Sequence, residues 1–153
     1  MRRATFMIAA LIGGSMAGCG PDPSSAPTPT VTPAAASAPV SAAEPVGSGQ
    51  DVRTPELAAR VTVDLADGDP ATIRVTVRVL RGTYEFGPAQ VRLRNATGPD
   101  TAPLVARSTP PVGLTLHVGV TRTWQIPFGR AAATGAQIQV TSPAGTVLAW
   151  TTA

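Results

Sequence analysis

From Val61 to Val79 the chain is dominated by a strict alternation that fixes what it can become. Val61, Val63 and Leu65 are separated by Thr62 and Asp64; Asp67-Gly68 then marks a turn; Ile73, Val75, Val77 and Val79 are separated by Arg74, Thr76 and Arg78. Successive side chains of a strand point to opposite faces, so a period of two gathers the branched aliphatics on one face and the polar residues on the other. With Asp-Gly between them, the two runs predict a hairpin that is dry on one side and wet on the other.

The same period recurs downstream. Val91 and Leu93 alternate with Arg92 and Arg94 before a turn at Asn95 to Pro99, and Leu104 to Arg107 reads as a short strand. Leu114, Leu116 and Val118 begin a row whose parity continues through Val120, Trp124, Ile126 and Phe128. As one strand that row would be about 50 Å long, well beyond usual strand length, so a break is expected near Gly119. Gln137 to Thr141 and Thr146 to Thr151 flank Ser142-Pro143-Ala144-Gly145 and form the closing pair. No helix is expected beyond a single turn at Pro55 to Arg60. Seven or eight short strands at about 8 to 12 residue spacing predict an all-β fold, an immunoglobulin-like two-sheet antiparallel β-sandwich over residues 55–153. Its core should hold Trp124, Trp150, Phe86, Phe128 and Tyr84, the largest apolar groups.

Ahead of this region the composition changes. From Gly20 to about Gln50 the chain is almost wholly Pro, Ala, Ser, Thr, Val and Gly, with Asp22 and Glu44 its charges. Such a segment buries too little surface to offset its ordering entropy, so residues 19–54 are expected to form a disordered linker stiffened toward polyproline II. Ser24, Ser25, Thr28, Thr30, Thr32, Ser37 and Ser41 are spaced among its prolines in the manner of O-glycosylated stalks. At the very start, Arg2-Arg3 precedes an uncharged run from Ala4 to Ala17. That run of about 14 residues is too short for a spanning helix, and positive start, apolar run and small residues together describe an export signal over residues 1–18. Met16-Ala17-Gly18-Cys19 resembles the lipobox of bacterial lipoproteins. The resemblance implies cleavage after Gly18 and a diacylglyceryl group on Cys19, which is the chain's single cysteine. Two acyl chains suffice for stable anchoring, so the protein is expected on the extracytoplasmic face of a membrane.

Composition closes off several classes of function. The formal charge is +3, and two of its arginines lie in the leader, leaving a near balance that does not suit a nucleic-acid partner. All three methionines, Met1, Met7 and Met16, are also in the leader, and there is one histidine, so neither a metal site nor a cofactor is expected. His117 would have to serve any Ser-His-Asp arrangement, with Ser108 and Asp100, but parity turns it toward solvent beside Leu116 and no strained nucleophile turn accompanies any serine. No catalytic residues are assigned and no enzyme is expected. Asp64, Asp67 and Asp69 bracket a turn and lack the following glutamate of a calcium loop. Asn95-Ala96-Thr97 matches a glycosylation sequon but reads as a turn. Arg74, Arg78, Arg92 and Arg94 take outward positions and are the candidate anion contacts, although an immunoglobulin-type strand order would put the two pairs on opposite faces.

Thr123-Trp124-Gln125-Ile126-Pro127-Phe128, after Val118-Gly119-Val120-Thr121 and before two closing strands, resembles the glycine turn and aromatic-x-aliphatic-proline strand of bacterial lipoproteins with a telokin-like, immunoglobulin-like domain. Val75, Val77 and Val79 match their opening strand, and Arg81-Gly82-Thr83 supplies the glycine of the turn after it. The resemblance implies an extracytoplasmic binding or structural module. The expected function is therefore a lipid-anchored, non-enzymatic envelope protein with an envelope protein or wall component as partner; strand addition at Leu104 to Arg107 would be one mode of binding. A carrier or sensor of a small apolar or anionic ligand is the alternative.

Overall fold

The hairpin dictated by the valine alternation is the centre of the fold. The computed structural model describes residues 41–67 and 69–153. Their strands are β1 (Glu44–Pro45), β2 (Gly49–Arg53), β3 (Ala58–Ala66), β4 (Asp69–Arg81), β5 (Thr83–Phe86), β6 (Val91–Arg94), β7 (Leu114–His117), β8 (Thr121–Pro127), β9 (Gln137–Thr141) and β10 (Val147–Thr151). β3 and β4 pair antiparallel, with Val61 opposite Val77 and Val63 opposite Val75. They lie inside a sheet of order β2-β3-β4-β8, which faces a second sheet of order β1-β10-β9-β6; β5 and β7 make a two-stranded ribbon. The all-β immunoglobulin-like sandwich expected from the sequence is thus the observed fold.

Burial follows parity. Val61, Val63, Ile73, Val75 and Val77 on one sheet and Leu93, Ile138, Val140 and Trp150 on the other are fully buried. Burying each aliphatic side chain stabilises the fold by about 1.5 to 3 kcal/mol. The ribbon adds Tyr84, Phe86 and Leu116 to the same core. Phe86 meets Trp124 edge-to-face, with ring centroids 4.7 Å apart and planes at 73°, a geometry that contributes about 0.5 to 1.5 kcal/mol beyond area alone.

Several expectations are corrected. The linker does not extend to residue 54: β1 pairs in parallel with β10, the chain turns at Val46-Gly47, and β2 pairs with β3. Val52 is the one strongly apolar residue buried in β2, so the strand leaves almost no hydrophobic signal. Polar contacts that join the sheets hold it instead: the buried Gln50 amide donates to the Ala149 carbonyl, and the Trp150 indole N–H donates to the Ser48 carbonyl at 3.0 Å. Residues 41–53 therefore belong to the fold, and the Ser41 N–H bonds the Val147 carbonyl.

Leu104 to Arg107 is not a strand. Val105–Arg107 forms a 3-10 turn, the Leu104 N–H bonds the Pro127 carbonyl, and Thr109 exchanges two backbone bonds with Gln125. This segment covers the β8 edge, so it is not a free edge for strand addition. Nor does Pro55 to Arg60 make a helical turn: Thr54 closes a tight loop through its N–H to the Leu57 carbonyl and its Oγ1 accepting from the Leu57 N–H, and Ala58 already begins β3. Val118 and Val120 leave the inward row because Gly119 takes a positive φ of 83° and turns the chain between β7 and β8. β5 was not foreseen. It follows Gly82 (φ 74°), where a Cβ would collide with the Glu56 carbonyl.

Candidate functional site

The expected cleavage and lipidation residues, Gly18 and Cys19, lie outside the described residues, as do the expected stalk sites from Ser24 to Ser37. Among the described residues no helix is long and apolar enough to cross a membrane. The chemistry open to inspection is that of the sandwich surface.

The four candidate arginines do not converge. Arg74 and Arg78 stand on the outer face of the β2-β3-β4-β8 sheet, whereas Arg92 and Arg94 stand on that of β1-β10-β9-β6. Arg74 lies 3.5 Å from Asp67 and Arg94 lies 3.7 Å from Asp100, both solvent-exposed pairs of small energetic weight. Arg92 spends its guanidinium on the Ala89 and Val91 carbonyls, at 2.9 and 3.0 Å. Arg78 differs. It has no carboxylate partner among the described residues and sits directly opposite Arg60 in the ladder, a like-charge pairing that costs stability. Only strand register reveals this neighbour, so the sequence reading overlooked it.

The groups considered for catalysis are held apart by separate partners. His117 is exposed on β7 opposite Thr83, Ser108 is buried with its hydroxyl donating to the Leu104 carbonyl, and Asp100 faces Arg94. The acidic turn is equally committed. Asp69 accepts from Thr72 Oγ1 at 2.6 Å and from the Ala71 N–H at 2.9 Å, and these two bonds, the hydroxyl first, hold its carboxyl below the usual range. Asp67 faces Arg74, and Asp64 lies opposite Arg74 in the ladder. Among the described residues no group of three His, Cys, Asp or Glu side chains could hold a metal ion. Asn95 is a turn residue whose side-chain oxygen accepts from the Ala133 N–H.

The chain's single tyrosine is unusual. Tyr84 is fully buried and its hydroxyl has no hydrogen-bond partner; burial pushes its ionisation well above the normal range. The surface has an open polar pocket of about 380 Å³ lined by Arg94, Asn95, Ala96, Gly135 and Gln137. A smaller one of about 230 Å³ lies between Phe86, Pro88, Val105 and Pro111. Both are shallow features between loops, and neither gathers convergent titratable groups.

Fold and surface together define an immunoglobulin-like β-sandwich with no assembled active centre among the described residues. Its fold is similar to the crystal structure, at 1.5 Å, of a secreted protein from Mycobacterium tuberculosis, MPT63. The two chains are 18% identical with a TM-score of 0.53, over 76% of this chain and 99% of that one. That likeness establishes the fold. No family model and no curated protein matches the chain.

Proposed function

We propose that this chain is a lipid-anchored protein of the bacterial cell envelope whose sandwich works as a non-enzymatic binding or structural module outside the cytoplasm. The carrying observation is Met16-Ala17-Gly18-Cys19 at the end of an arginine-led apolar leader. That the domain folds like a secreted protein is consistent with export. A lipidated Cys19 would also account for the single cysteine, since an unpaired thiol is a liability in an oxidising compartment.

The Pro-rich composition between Cys19 and the first described strands fits a tether, and each of its residues would add about 3.1 Å of reach in polyproline II geometry. Because β2 belongs to the fold, that tether is shorter than a linker running to residue 54 would be. The partner is an envelope protein or wall component reached within that radius. Crosslinking in intact cells with a C-terminally tagged chain tests this reading, with Cys19→Ala as control. A defined partner captured from wild type and lost in the control supports an anchored module; capture of the same partner by both chains refutes the need for the anchor.

A further inference from the structure

The two ends of the sandwich differ in character. At one end the loops around residues 54–57, 82–83 and 143–144 meet, jointly lining a shallow pocket. Strand register brings further residues there: Ala58 pairs with Arg81, Arg78 with Thr121, and Thr83 with His117. The described chain also enters here, since Ser41 bonds Val147 at the start of β10.

This end exposes aliphatic side chains that a soluble loop has no need of. Leu80 is 47% exposed, Val118 63% and Val120 39%. They belong to one structural unit, because the Gly119 N–H bonds the Val79 carbonyl and the Val79 N–H bonds the Val120 carbonyl. Leu80 is thereby held beside the Val118-Gly119-Val120 turn. Arginines share this end, with Arg78 on the outer face of β4, Arg122 at an inward-parity position of β8, and the Arg81 guanidinium donating to the Thr54 carbonyl at 2.7 Å. Arg78, Arg81 and Arg122 have no carboxylate partner among the described residues, while Arg53 and Arg60 share Asp51. The other acids near this end are Glu56 and Glu85, which leaves the arginines in excess. Arg122 occupies an inward-parity position opposite Val77 yet is exposed at the end of β8, a placement that the core does not explain. Aliphatic tips that share an end with arginines in excess suit an interface between water and anionic lipid, where apolar groups enter the headgroup layer and guanidiniums hold phosphates.

We propose that this end, Leu80, Val118 and Val120 with Arg78, Arg81 and Arg122, is a docking face for the anionic headgroup surface of a lipid bilayer. The proposal deepens the anchored-module reading, on which it rests for the nearness of a membrane. An anchor on the same chain would hold the domain at high effective concentration near the bilayer, so weak docking is enough to orient it. Ser41, the first described residue, lies at the docking end, and the loops with Arg94, Asn95 and Gly135 are left facing away as the surface for a partner.

The test separates docking from anchoring by using the chain without residues 1–18 and with Cys19→Ser, which keeps every described residue and has no lipid. Its co-sedimentation is measured with vesicles of phosphatidylcholine alone and with about one third phosphatidylglycerol. Binding to the anionic vesicles is expected, weakening as salt rises. Arg78→Gln and Arg122→Gln should each lower the partition coefficient about fivefold, and Val118→Asp should lower it further. Arg94→Gln, at the other end, should leave it unchanged, and thermal melting checks that each variant is folded. No preference for anionic vesicles, equal loss from Arg94→Gln, or binding to an anionic polysaccharide without binding to vesicles would overturn the proposal. If docking fails while the lipidated wild type stays in membranes, the anchor reading survives alone. If docking holds while Cys19 proves unmodified, the anchor reading falls.

Discussion

Removing residues 41–54 tests how the sandwich is held together, because composition alone would class most of that segment as dispensable. A chain starting at Pro55 loses β2, and with it the buried Val52 side chain, 4% exposed in the fold. That costs about 1.5 to 3 kcal/mol. It also strips partners from two buried groups, the Ala149 carbonyl bonded by Gln50 and the Trp150 indole N–H bonded to Ser48. Each lost bond costs about 1 kcal/mol, more where the group stays shielded from water. The five-residue ladder between β2 and β3 disappears as well, exposing the edge of β3 beside Val61 and Val63. A loss of about 4 to 6 kcal/mol follows, against a total of about 5 to 15 for a domain of this kind. Thermal melting and urea unfolding of chains starting at Ala36 and at Pro55 provide the comparison. The shorter chain should melt about 20 °C lower or fail to fold. Equal melting temperatures and equal urea midpoints would refute the inter-sheet role of Gln50 and Ser48 and return the segment to the linker.

Four further outcomes follow from the core and the acidic turn. Trp124→Ala, which removes the fully buried indole packed on Phe86, should destabilise by about 3 to 5 kcal/mol in urea unfolding. Tyr84→Phe should leave stability unchanged or raise it, since the deleted hydroxyl has no partner. As Tyr84 is the only tyrosine, alkaline absorbance titration reads it alone. Its raised ionisation means that the stabilisation is complete below the unfolded value of about 10 and is lost as pH rises toward the folded value, so phenolate should appear only with unfolding. Asp69 has the opposite sign: its lowered folded value stabilises above the unfolded value of about 3.9, and this is lost as pH falls through the folded one. Asp69→Asn should therefore flatten the acid side of the melting-temperature profile between pH 5 and pH 2.

The parts of the fold that were legible in the sequence are those whose stability comes from apolar burial on one strand face. Val61 to Leu65, Ile73 to Val79 and Trp124 to Phe128 carry that signal in every second residue, and the hairpin, the core aromatics and the break at Gly119 followed from it. β2 was hidden because its stabilising contacts are polar and reach Ala149 and Trp150, far along the chain. β5 was hidden because only Tyr84 and Phe86 mark it, four residues being too few to establish a period. Leu104 to Arg107 misled for the converse reason: its apolar residues serve a 3-10 turn that caps β8, and Leu104 and Val105 stay exposed. For the surface, outward parity placed Arg74, Arg78, Arg92 and Arg94 correctly one at a time. The juxtaposition of Arg78 with Arg60, and of Leu80 with the Val118-Gly119-Val120 turn, exists only once strands are in register.

If a lipid on Cys19 holds this sandwich at a membrane, the intact mass of the mature protein purified from its native envelope will report it. The account predicts a chain beginning at Cys19 whose N-terminal peptide carries a diacylglyceryl mass, and a Cys19→Ala chain that lacks the modification and leaves the membrane fraction. A mature chain recovered in soluble form, cut elsewhere and with an unmodified thiol at Cys19, would contradict it.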